Sequence, residues 1–200
     1  DLTTNGVTIT GGTTMDVTDL NNAISGTNTV ATGTVDLVFS ADDNTTTING
    51  GTATEFATTL LTHKTNNRVS FTGVNLSIDG TTVTTAQAND LTAATTGTVT
   101  TTVSDGDLDT LTGLAARANA ALAVTVTDTA GTAAELNTVN AGTTSAVNAN
   151  AVVTIESSTA SDLATLMADA QDDTKFTNTS FVDLTTNGVT ITGGTTMDVT

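Results

Sequence analysis

The chain has 200 residues, a 37% apolar and 2% aromatic composition, no Cys, no Pro and a net charge of −17, with only four basic residues. That length can bury a real core. The charge repels nucleic acid and anionic membrane surfaces, the missing Cys rules out disulfides and thiol chemistry, and no run of 18 apolar residues exists to insert in a membrane. Thr makes up about a quarter of the chain, several-fold above its usual share, so the core is expected to be built from Val, Leu, Ile and Ala with Thr methyls filling in.

The opening stretch, DLTTNGVTITGGTTMDVT at Asp1–Thr18, returns letter for letter at Asp183–Thr200, an offset of 183 − 1 = 182 residues. Neither chance nor ordinary divergence leaves 18 identical residues in a row. The sequence therefore reads as residues 1–182, one complete repeat unit, followed at 183–200 by the start of the next identical unit. Neighbouring identical units are the first expected partner.

A shorter motif recurs inside the unit: x-x-[DE]-[LF]. It occurs as VTDLNNA (17–23), ATEFATT (53–59), ANDLTAA (88–94), GDLDTL (106–111), AAELNTV (133–139) and ASDLATL (160–166), anchored by Leu20, Phe56, Leu91, Leu108, Leu136 and Leu163. Each copy reads as the first turn of a short helix. Thr52/Glu55, Thr132/Glu135, Thr159/Asp162, Ser104/Asp107 and Asp16/Asp19 place a capping oxygen three residues before a carboxylate. In that arrangement each side chain satisfies an orphan backbone N–H, and the acid sits at the positive end of the helix dipole. Gln87/Asp90 lacks the cap, which makes its helix the weakest of the six.

Between these helices lie stretches with period-two alternation: TVDLVF (34–39), RVSFTGVNLSI (68–78), VTTTV (99–103), LAVTVT (122–127), VVTI (152–155) and GVTIT (188–192). They read as strands with one apolar and one Thr face. Most end in turn residues, as in TINGG, SIDG and TVSDG, that lead into a helix cap. The predicted unit is thus about six strand–turn–helix modules. Strand–helix–strand connections favour a parallel sheet, and repetition favours stacking of modules that cannot bury their apolar faces alone. The expected fold is an α/β repeat, a parallel-strand solenoid with short capped helices. Tandem all-β sandwich modules are the competing architecture.

Catalytic motifs are missing: the sequence contains no G-x-x-x-x-G-K-[ST], H-E-x-x-H or G-x-S-x-G. The one His, His63, falls beside Lys64 at a helix C-terminus, where the dipole favours cations. The chain is therefore read as no enzyme. Calcium is the best-motivated ligand, because hard cations take several oxygen ligands on tight backbone. Asp105, Asp107 and Asp109 alternate along DGDLD, and Asp42 with Asp43 forms a second acidic turn. Neither matches an EF-hand.

TAAELNTVNAGTTSAVNANAVVTI (132–155) and ANDLTAATTGTVTTTVSDGDLDTLTG (88–113) resemble repeats of giant Thr-rich bacterial cell-surface proteins, including those of marine cyanobacteria tied to swimming motility. The likeness covers roughly 85–170. It implies an exported, extracellular or cell-surface protein with a mechanical or adhesive role: a filament, stalk or surface layer. The alternative is an adhesin stalk presenting a binding domain elsewhere. A cell-surface polysaccharide is a further candidate partner. The resemblance brings no catalytic residues.

Overall fold

The computed structural model describes residues 7–9, 14–26, 37–39 and 45–177. The chain forms a mixed α/β fold divided into two compact units, Asp1–Thr102 and Val103–Thr200.

The first unit runs β1 (Val7–Ile9), β2 (Thr14–Asp16), α1 (Val17–Gly26), β3 (Leu37–Phe39) and β4 (Thr47–Asn49). A π-helical stretch (Glu55–Leu60) then continues as α2 (Leu61–Thr65), followed by β5 (Val69–Ser70), β6 (Asn75–Val83), α3 (Thr85–Ala94) and β7 (Val99–Val103), whose last residue opens the second unit. Strands of successive modules lie side by side: β1-β3-β5 in one sheet and β2-β4-β6-β7 in the other. The register is parallel, Val7↔Leu37↔Val69 in the first and Thr14↔Thr47↔Asn75 in the second. The π-helical stretch packs against both α1 and α3.

The second unit contains α4 (Leu108–Leu111), β8 (Ala120–Ala123), β9 (Ala130–Gly131), α5 (Ala133–Ala141), β10 (Val147–Asn148), β11 (Thr154–Ile155), α6 (Ala160–Asp169) and β12 (Phe176–Thr177). β9 pairs with β11 and β10 with β12, again in parallel. Helices pack in chain order, α4 on α5 and α5 on α6. All strand pairs with a defined register are parallel, as strand–helix–strand connections require and as an antiparallel sandwich would not be.

The motif anchors make the core. Leu20, Phe56, Leu91, Leu108 and Leu136 are between 0% and 3% exposed. Burying each contributes about 1.5–3 kcal/mol relative to leaving it in water. β7 has the predicted alternation, with Val99, Thr101 and Val103 buried and Thr100 and Thr102 exposed. Gly50 and Gly51 end β4 with φ of 69° and 61°, the left-handed turn that TINGG implies.

Several expectations are corrected. RVSFTGVNLSI is not one strand: it breaks into β5 and β6 around Phe71–Val74, where Val74 N–H closes a turn on Phe71 O at 3.3 Å. SIDG is not a strand end, since β6 continues through Asp79 and Gly80 to Val83. The third helix is not weakly capped. It starts one turn earlier than its motif suggests, at Thr84, where a complete capping box joins Thr84 to Gln87. The fourth helix starts one turn later: Asp107 is itself the N-cap and Ser104 lies outside. VVTI contributes only Thr154–Ile155 to a strand. GVTIT (188–192), the first part of TVDLVF and the restart at 183–200 lie outside the described residues.

Candidate functional site: contacts between successive modules

The helix starts are the most regular chemistry in the chain. Thr52 N–H and Oγ1 both donate to Glu55 Oε2, at 2.8 and 2.9 Å, and Glu55 N–H donates back to Thr52 Oγ1 at 3.3 Å. Thr132 and Glu135 repeat this arrangement at 2.8, 2.8 and 3.2 Å. Asp162 N–H donates to Thr159 Oγ1 at 3.1 Å. Asp16 Oδ1 accepts the N–H of Thr18 at 2.8 Å at the start of α1.

At Glu55 such bonds favour the ionised acid. The Thr18 hydroxyl, then the Thr52 backbone and hydroxyl, hold the Glu55 carboxyl below the usual carboxylate range, against opposing desolvation and the Asp16 charge. Hydrogen bonding from Thr110 lowers Asp107 in the same way, and from Thr174 lowers Asp172. A depressed folded-state pKa contributes stability above the unfolded value, and that contribution is lost as pH falls through the folded one. The acid limb of the stability profile below about pH 4 therefore carries these caps. Glu55→Gln is expected to lower the neutral-pH urea midpoint and to shrink the further fall between about pH 5 and about pH 3. Comparing the two chains at each pH cancels the shared relief of repulsion as the net charge of −17 is titrated away. An unchanged acid limb would show that Glu55 does not contribute to it.

The anchor motif also ties each helix to the next. Asn21, directly after Leu20, donates Nδ2 to Glu55 O at 3.2 Å. Asn137, directly after Leu136, donates Nδ2 to Asp162 O at 2.9 Å. In both cases the acceptor is the carbonyl of the motif acid in the following copy. The Oδ1 atoms of the same two residues are buried without a hydrogen-bond partner. Asn140 Nδ2 adds a bond to Asp169 Oδ2 at 3.0 Å.

A second tie follows the helices. Thr95 Oγ1 donates toward Val74 O at 2.7 Å and Thr72 O at 3.0 Å, and accepts the N–H of Gly97 at 2.9 Å. Thr143 Oγ1 does the same with Leu122 O at 2.7 Å, Ala120 O at 3.1 Å and the N–H of Ser145 at 3.1 Å. Both Thr residues are buried. The triplets Thr95-Thr96-Gly97 and Thr143-Thr144-Ser145 share the pattern T-T-[GS] after a helix. Loop composition alone does not reveal that they clamp the backbone of an earlier module.

Two of the four cations end neighbouring helices. Arg68 donates Nη2 to Ile24 O near the end of α1. Lys64 donates Nζ to Ala94 O at 2.6 Å at the end of α3, and lies 5.5 Å from the Phe71 ring centroid. His63 stands in the last turn of α2, as expected. Burial, and then the Arg68 charge, push its imidazole pKa down. Asn67, at φ 59°, closes that helix: Arg68 N–H reaches His63 O at 2.8 Å. A shallow groove lies between α2 and α3, lined by Ala57, Leu61, Lys64, Asp90 and Ala93.

The acidic candidates are placed as follows. Asp107 Oδ1 accepts Thr110 N–H at 2.9 Å as the N-cap of α4. Asp109 is exposed in the first turn of that helix, and Asp105 precedes it, partly buried. Among the described residues no three acidic or imidazole side chains gather as a metal site. Asp42 and Asp43 lie outside the described residues. Among those residues, too, no helix is long and apolar enough to cross a membrane. The chain matches no protein-family model, no curated protein and no solved structure.

Proposed function

We propose that the chain is a structural, non-catalytic piece of an extended extracellular array, built as an α/β solenoid of stacked modules in tandem 182-residue units. The observation that carries this reading is the letter-for-letter return of 18 residues at 183–200. It is supported by the parallel pairing of strands from successive modules and by the repeated Asn21 and Asn137 ties from one motif copy to the next. Identical units suit a role in which length and regular contact matter more than a single reactive centre. The acidic composition suits the cell exterior, and the likeness to giant surface proteins points the same way.

Electron microscopy of a recombinant tandem array of several 182-residue units tests the proposal. Parallel strands stack about 4.8 Å apart, so six modules lengthen a solenoid by roughly 29 Å. A smooth rod whose length grows by that increment per unit is the expected result. Separate beads on a thread, or a fixed length at all unit numbers, would overturn it. A flexible thread ending in a distinct tip in native material would favour an adhesin stalk.

A further inference from the structure

The sixth anchor differs from the other five. Leu163 occupies the same motif position as Leu136, directly after the acid, yet it is only half-buried, whereas Leu20, Phe56, Leu91, Leu108 and Leu136 are no more than 3% exposed. Its helix is not loosely attached. α5 holds α6 through Asn137 and Asn140, and Leu166 is 0% exposed. What is left partly open is the face carrying Leu163 and, one turn on, Met167. Residues four apart on a helix are neighbours, so these two form one apolar patch.

The sequence indicates the occupant. Two motif helices are covered on one side by the preceding copy and on the other by the following copy: the π-helical stretch lies against α1 and α3, and α5 against α4 and α6. After α6 the chain restarts at Asp183 with the sequence of its own first module.

We infer that the Leu163–Met167 face of α6 is a docking face for the opening module of a following copy of the same unit, the stretch with the sequence of Asp1–Gly26. The inference rests on the tandem-array reading and names the joint between its units. The joint is head-to-tail: one end of a unit meets the opposite end of the next. Contacts of that kind generate open arrays unless a rotation closes them into a ring.

The test adds eight residues after Thr200, DLNNAISG, which completes the copy of α1. Amide exchange in α6 and urea midpoints are then compared between the 200-residue and extended chains, with a scrambled eight-residue extension as control. Protection at Leu163–Met167 is expected to rise at least about tenfold in the extended chain alone. Leu163→Ala is expected to lower the midpoint slightly in the parent and several times more in the extended chain, while Leu166→Ala lowers it equally in both. Equal α6 protection in all three chains, or an equal Leu163→Ala effect in parent and extended chains, would overturn the joint. The two proposals fail separately: a rod in micrographs with no gain at α6 removes only this joint, and a gain at α6 in chains that form beads removes only the solenoid array.

Discussion

Gly97→Ala is expected to be the most damaging single-methyl addition in the first unit, lowering stability by about 3 kcal/mol, the upper range for overpacking. A Cβ at Gly97 would lie 2.4 Å from Val74 O and 2.6 Å from Gly73 O. Both are backbone atoms, so no side chain can swing away. Moving them would also disturb the Thr95 clamp, whose acceptors are Thr72 O and Val74 O. Gly80→Ala is the control. Its Cβ would meet nothing within 4 Å, but its φ is +75°, so only the left-handed backbone penalty of about 1–2 kcal/mol applies. Urea denaturation of the two variants separates close approach from backbone strain. Equal midpoints would show that the Gly97 contact relaxes at little cost.

Thr143→Val should cost about 2–3 kcal/mol although it preserves shape. The hydroxyl donates toward Leu122 O and Ala120 O and accepts from the N–H of Leu122 and Ser145, both at 3.1 Å. Thr143 is 8% exposed, and unpaired buried polar groups cost about 1–3 kcal/mol each. Ala120 O keeps the N–H of Thr144 at 2.7 Å, so the loss falls mainly on Leu122. Thr144→Val, which removes one part-buried hydroxyl bonded to Ala120 O, should cost under about 1 kcal/mol. The measurement is the urea midpoint at constant slope. A Thr143→Val midpoint no lower than that of Thr144→Val would refute the clamp.

What the sequence reveals depends on how local the deciding interaction is. The capping boxes at Thr52 and Thr132 and the alternation of Val99–Val103 are settled within a few residues, and the structure has them as read. The start of α3 departs from the sequence reading because the anchor motif does not always mark the first helical turn. Leu91 instead sits in the second turn, and Gln87 replaces an acid as partner of the cap. The break between β5 and β6 is only half legible. The period-two phase slips across Gly73, from Val69 and Phe71 to Val74, Leu76 and Ile78, which marks where the strand stops. Thr72 O and Val74 O are also taken by hydroxyls more than 20 residues ahead, and no local pattern reports such a bond. The candidate acids show the same limit. Spacing grouped Asp105, Asp107 and Asp109, while the N–H of Thr110 gives Asp107 to the helix start.

The charge balance has a consequence beyond the fold. Four basic side chains, two of them donating to helix-end carbonyls, face 21 acids and leave a net charge of −17. The counterions must come from the surrounding electrolyte. A tandem array of such units is then a polyelectrolyte: in dilute buffer the repulsion between units reaches about 30 Å, and in brine near 1 M it shrinks to about 3 Å. In the proposed array, bending stiffness and lateral spacing would thereby follow the salinity of the medium.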